Sequence, residues 1–140
     1  MTDQLQLSLP NQKSAISGCQ DQVEEFARRN RLPDAVLHDL QLALEEHLTN
    51  IVSYGHAEGK PHPIRICLQL DESSVRVEIA DRGSPFNPLD HPPPDLHQPI
   101  EERPIGGLGI YMMRKAMDGM AYRRENGRNI LVLTKRLPVT

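Results

Sequence analysis

Residues 64–83 read IRICLQLDESSVRVEIADRG, and this stretch decides which folds the chain can adopt. Ile64, Ile66, Leu68 and Leu70 alternate with Arg65, Cys67 and Gln69, and Val75, Val77 and Ile79 alternate with Arg76 and Glu78. Period-two alternation marks two strands, 64–70 and 75–80, each with one buried face, joined as a hairpin by Asp71-Glu72-Ser73-Ser74.

Upstream, residues 4–9 (QLQLSL) form a first alternating strand that ends at Pro10. Residues 14–30 carry Ile16, Cys19, Val23, Phe26 and Ala27 at three- and four-residue spacing, a helix with Arg28 and Arg29 near its carboxyl end. Pro33 is suited to the first turn of a second helix with Asp34 beside it; that helix runs to residue 54, with Gly55 as its stop.

Downstream, residues 84–105 hold seven of the twelve prolines and read as a long irregular loop, a segment type that is usually either disordered or a functional lid. A third helix over 110–117 follows Gly106-Gly107-Leu108-Gly109, and two closing strands, 121–125 and 129–135, turn at Asn126-Gly127. The order β-α-α-β-β-loop-α-β-β does not alternate strictly. It predicts an α+β two-layer sandwich with helices on one face of a mixed sheet, and it excludes a Rossmann fold.

Composition narrows the function. At 140 residues and 15.8 kDa the chain makes one domain, residues 1–140, with a single core. A net charge of −3 and a pI near 6.0 disfavour direct nucleic-acid binding. No apolar run is long enough to span a membrane and the amino terminus has no signal-peptide pattern, so the expected setting is cytoplasmic. Cys19 and Cys67 are isolated, and His56, His62, His91 and His97 lie in polar, proline-containing loops without zinc-site spacing.

Three motifs carry chemistry. In residues 44–51, LEEHLTNI, the apolar stripe Leu37, Leu40, Leu44, Leu48 and Ile51 is widened by Ala43. At about 100° per residue, Asn50 falls roughly 20° and Glu46 roughly 60° beyond Ala43 on one flank, while Glu45 points away to solvent. Glu46 and Asn50 thus suit either a site bordered by the helix or a plain surface pair. Asp81-Arg82-Gly83-Ser84-Pro85-Phe86 follows a strand, where Asp81 can accept from a ligand amine and Gly83 lets a flat ligand approach, or the segment simply turns. Gly106-Gly107-Leu108-Gly109 opens a helix, leaving N–H groups uncovered for phosphate or providing a hinge. It matches neither of the two commonest phosphate-binding patterns.

The succession Glu-x-x-x-Asn, Asp-x-Gly-x-Pro-Phe, loop and Gly-Gly-x-Gly resembles the GHKL ATP-binding superfamily and its Bergerat fold. DRGSPFNP and GGLGIYMMRKAMDGMAYRRENGRNILVLTKRL are similar to the small bacterial anti-sigma-factor serine/threonine kinases. The resemblance implies ATP and Mg²⁺ as cofactors, with Asn50 as the metal residue and Glu46 as the catalytic base. It implies Asp81 on the adenine amino group, Gly83 beside the ring, and Gly106, Gly107, Leu108 and Gly109 around the phosphates. Thr134 is a looser match to an adenine-side threonine, residues 84–105 become the ATP lid, and Arg103 near the lid's end is a further phosphate contact to consider.

The implied activity is a switch that phosphorylates a STAS-domain antagonist and binds a sigma factor or similar regulator, with a homodimer as a further assembly. A nucleotide-gated module that sequesters a partner without kinase activity is the alternative. A histidine-kinase catalytic domain fits less well, because the chain has no room for a helical phospho-acceptor domain.

Overall fold

The computed structural model describes residues 2–54, 62–90 and 107–138. Five strands, β1 (Asp3–Leu9), β2 (Ile64–Leu70), β3 (Ser74–Asp81), β4 (Gly119–Glu125) and β5 (Arg128–Arg136), form one sheet in the order β1-β2-β3-β5-β4. Three helices, α1 (Ile16–Arg29), α2 (Asp34–Tyr54) and α3 (Gly107–Ala116), pack on one face. This is the expected α+β sandwich. No helix among the described residues is long and apolar enough to cross a membrane.

One detail differs from expectation: every pairing in the sheet is antiparallel, where a mixed sheet was predicted. The cause is the place of β5. β3 and β4 run parallel to each other, as a crossover through α3 requires, but β5 inserts between them and is antiparallel to both. Likewise β1 reaches β2 through two helices, so the chain turns back three times, an odd number, and the strands meet antiparallel.

The hairpins follow their turn chemistry. Asp71 Oδ1 accepts the N–H groups of Ser73 and Ser74, both at 2.8 Å, an Asx turn that closes β2 onto β3. Asn126 and Gly127 have φ of 53° and 76°, the doubly positive pair that a tight β4–β5 turn demands. Element ends move by a few residues. Lys13–Ala15 form a 3₁₀ turn before α1, α3 begins at Gly107 rather than residue 110, and β4 begins at Gly119 rather than residue 121.

The core lies in a single layer. Val23 and Phe26 of α1, Leu40, Leu44 and Leu48 of α2 and Met113 of α3 are buried against Ile66, Leu68, Val77, Ile79, Leu131 and Leu133. The stripe read from α2 is therefore the face laid on the sheet, burying side chains each worth about 1.5–3 kcal/mol. Lys135 fixes the remaining degree of freedom. Its Nζ donates to the Ala116 carbonyl at 2.8 Å and meets Asp39 Oδ2 at 2.8 Å, tying the carboxyl end of α3 to β5 and to the early part of α2.

Candidate nucleotide and phosphotransfer site

Helix lengths position the first pair of site residues. Asp39 and Glu46 are seven residues apart on α2, and Ala116 and Gly109 are seven apart on α3. At 1.5 Å per residue each interval is about 10.5 Å. With Lys135 joining Asp39 to Ala116, the antiparallel helices bring Glu46 level with Gly109. The carboxylate lies against that glycine: a Cβ built there would collide with Glu46 Oε2 and come within 3.1 Å of its Cδ. The bare glycine is what lets the carboxylate sit this close; any Cβ here would make the Glu46 side chain swing aside. Glu46 thus stands at the amino-terminal turn of α3, where unpaired N–H groups and the helix dipole favour negative charge.

One turn further along α2, Asn50 is only 8% exposed and its Nδ2 has no hydrogen-bond partner. A buried N–H donor left incomplete is costly, about 1–3 kcal/mol, so this position suits a ligand oxygen that accepts from it. Hard oxygen-coordinated cations accept an amide oxygen, and Asn50 with the α3 amino terminus fits a metal–phosphate group. Glu45 is exposed, as the helix geometry predicted, and its Oε2 meets Gln20 Nε2 at 3.4 Å.

At the end of β3, Asp81 is 4% exposed. Its Oδ2 accepts from Gly83 N at 2.9 Å and from Asn129 Nδ2 at 3.2 Å. Burial raises the Asp81 carboxyl above the ordinary carboxylate range, opposed by those two bonds and by the Arg124 charge. Gly83 is held in turn, since its carbonyl accepts from Arg124 Nη1 at 2.8 Å. The Asp-x-Gly motif is therefore a turn and a candidate ligand site together.

Asn129, which the sequence did not single out, organises this end of the sheet. It is the cross-strand partner of Asp81, buried at 5% exposure, and all four of its hydrogen-bonding positions are used. Nδ2 donates to Asp81 Oδ2 and, at 2.9 Å, to the Ser84 carbonyl; Oδ1 accepts from Phe86 N at 3.1 Å and Tyr122 Oη at 2.6 Å. Residues 84–90 leave the sheet under this clamp, and Arg114 of α3 holds them further along, donating to the Leu89 carbonyl at 2.7 Å. The one available signal was an amide opening an apolar run, N-I-L-V-L.

Thr134 does not join the site. Asn129, Leu131, Leu133 and Lys135 share the helix-facing side of β5, so Thr134 lies on the opposite face, paired with Arg76 and Gly119. Five residues from Asn129, it is also about 16 Å further along the strand. The position beside Asp81 belongs to Asn129. Gly107 opens α3, and Leu108 is 38% exposed; its side chain is apolar, so only its backbone can serve a phosphate. Gly106, Arg103 and the rest of the lid, 91–105, lie outside the described residues.

Residues 9–135 match the profile of the histidine kinase-like ATPase domain. The serine/threonine-protein kinase BtrW of Bordetella bronchiseptica is 33% identical over 112 residues, covering 80% of this chain and 79% of that protein. The serine-protein kinase RsbW of Bacillus mycoides is 30% identical over 100 residues, covering 69% of this chain and 62% of that protein. Among solved structures, the RsbU and RsbW domains of a Mycobacterium tuberculosis protein superpose with a TM-score of 0.72 at 19% identity, over 96% of this chain and 32% of that one. The SiaB–SiaC complex from Pseudomonas aeruginosa gives 0.59 at 13% identity, over 95% and 89%. These two structures bear on the fold alone.

Proposed function

The chain belongs to the histidine kinase-like ATPase domain family and groups there with serine/threonine-protein kinases, and from that premise we propose that it transfers the γ-phosphoryl group of ATP to a serine or threonine of a STAS-domain antagonist. The observation that carries this reading is the Glu46 carboxylate seated on Gly109 at the start of α3. A general base belongs beside the phosphate-binding end of such a helix, within reach of an incoming hydroxyl.

The residues divide the work. Asp81 accepts from the adenine amino group, using the oxygen that Gly83 and Asn129 leave open. Backbone N–H groups of Gly107, Leu108 and Gly109 receive the phosphates, and Asn50 offers its amide oxygen to Mg²⁺. Bound there, Mg²⁺ would supply charge neutralisation for the phosphates and help orient the triphosphate. The acceptor hydroxyl oxygen attacks the γ-phosphorus while its proton passes to Glu46. The bond from that phosphorus to the bridging oxygen breaks, and ADP departs. Phosphoryl transfer asks chiefly for positioning and charge neutralisation, which one carboxylate, one amide and a helix amino terminus supply.

As a switch, the same domain would bind a sigma factor or similar regulator and release its antagonist once that antagonist is phosphorylated. The test is the intact mass of a candidate STAS-domain protein after incubation with this chain and Mg²⁺-ATP, beside a Glu46→Gln control. One added phosphate, absent in the control, supports the kinase. Complex formation and ATP binding without a phosphorylated product would replace it with a nucleotide-gated sequestering module.

A further inference from the structure

The helix-free face of the sheet carries a cluster of cations that the proposed kinase chemistry does not use. Arg65 at the start of β2, Arg82 just after β3 and Arg128 at the start of β5 line one hollow of about 350 Å³, with His62 at its rim and the small side chain of Ala80 among them. Register explains the convergence. Arg65 is paired with Ala80 across β2–β3, and Asp81 with Asn129 across β3–β5, so the residues flanking that last pair, Arg82 and Arg128, come side by side.

Several other arginines are committed. Arg28 meets Glu24 at 2.7 Å, Arg29 meets Asp3 at 2.9 Å, and Arg123 meets Glu78 and Glu125 at 3.3 and 2.9 Å. Arg65, Arg82 and Arg128 have no carboxylate partner among the described residues. Three acids lie near enough to matter. Glu125, directly across from Arg128 in the β4–β5 register, is engaged by Arg123 at 2.9 Å. Glu78, two residues before Ala80 on the same face, is held by Arg123. Asp81 also lines the hollow, but by strand alternation its side chain lies on the opposite, helix-facing side with its cross-strand partner Asn129, where Oδ2 accepts from Gly83 and Asn129. Arg128 is half-buried and its Nε is cut off from solvent without a partner, an N–H donor left incomplete in a cationic wall.

The geometry points to a second ligand site, distinct from the nucleotide pocket, in which Arg65, Arg82 and Arg128 bind a tetrahedral oxyanion of the phosphate or phosphomonoester class. Guanidinium forks suit such oxygens by direct, paired hydrogen bonds. An anion there also relieves the mutual repulsion of three like charges. The hollow shares Arg65, Ala80 and Arg128 with a wider groove of about 700 Å³ along β1, β2 and β3, which leaves room for whatever the phosphate is attached to. This assignment does not depend on the kinase reading.

The test uses the full chain saturated with Mg²⁺ and a non-hydrolysable ATP analogue, so that phosphate cannot report from the nucleotide pocket. Inorganic phosphate is titrated at constant ionic strength, following the arginine Nε–H resonances. The site predicts a saturable shift of the Arg65, Arg82 and Arg128 signals. In an Arg65→Gln/Arg128→Gln variant the affinity falls roughly tenfold or more, while Arg76→Gln, on the same face outside the hollow, leaves it unchanged. An Asn50→Ala protein that has lost nucleotide binding should still show the shift, which separates this site from the first. Phosphoserine titrated in parallel identifies the source: tighter binding than phosphate indicates a phosphorylated protein, and equal binding a free anion. A response that never saturates, or one that chloride reproduces, overturns the site.

Discussion

The Glu46 carboxylate rests on Gly109, so the polar flank of one helix and the glycine-rich start of another form a single feature. Neither position explains the other in sequence, where they are far apart. In the fold, Lys135 ties α3 to α2 at one end, and equal seven-residue intervals carry the alignment to the other. The base and the phosphate-binding backbone are thereby held on two packed helices, which position side chains more tightly than loops do.

Glu46→Gln keeps the size of the side chain and its seat on Gly109 while removing its basicity. Nucleotide affinity should remain within a few-fold, and phosphoserine formation should fall by about 10²–10⁴. Nucleotide titration and a phosphotransfer assay on the same preparation check both halves. Equal loss of binding and transfer would assign Glu46 to nucleotide contact instead.

Gly109→Ala places a methyl group where the Glu46 carboxylate sits. The carboxylate must swing away or α3 must shift, and either motion misplaces the base. Phosphotransfer should fall by roughly tenfold or more, given the sensitivity of such geometry to small displacements. In a Glu46→Ala background the alanine has nothing to strike, so the two effects should be strongly non-additive. Full additivity would deny the contact a role.

The strands and helices were legible because each element keeps one periodicity and one buried face. The alternation of 64–70 and 75–80 returned as β2 and β3, and the α2 stripe returned as the face on the sheet. Sheet direction was not legible: whether β5 lies beside β4 alone or also between β4 and β3 is a matter of tertiary packing. Thr134 was misplaced for a related reason. Local pattern cannot tell which of two alternating faces meets the helices at a given level, and the answer came from the pairing of Asp81 with Asn129. Asn129 itself was hidden because a single amide in a strand looks unremarkable until its four partners, distant in the chain, are assembled.

Asn129→Leu should test the clamp. Removal of this amide takes one hydrogen bond each from Asp81 Oδ2, which keeps Gly83 N, and from the Ser84 carbonyl, Phe86 N and Tyr122 Oη. Each of these hydrogen bonds is worth about 0.5–1.5 kcal/mol, so the thermal midpoint should drop. Nucleotide affinity should weaken more than the rate of transfer at saturating ATP, because Asp81 loses its orientation while Glu46 stays seated. Since burial already raises the Asp81 carboxyl, an Asn129→Asp variant adds a second carboxylate and pushes it higher still. Adenine-dependent binding in that variant should then fail at a higher pH than in the wild type as the solution is acidified. An unchanged pH profile would remove Asp81 from adenine recognition.

His47 supplies the stability test. It lies between Glu46 and Leu48 on α2, is 3% exposed, and has no partner for Nδ1. Burial lowers its pKa from 6.5 to about 4 because the charged imidazolium is excluded from the apolar layer. The folded value lies below the unfolded one, so between the two the unfolded chain binds more protons and stability rises with pH. The contribution is fully present above pH 6.5 and is lost as the pH falls toward 4. From the size of the shift the loss should be about 3 kcal/mol. Denaturant unfolding at pH 7.5 and pH 4.5 measures it against His47→Leu, which packs the same space without a titratable group. The variant should lose markedly less stability over this interval, and parallel curves for the two proteins would show that His47 does not carry the acid sensitivity.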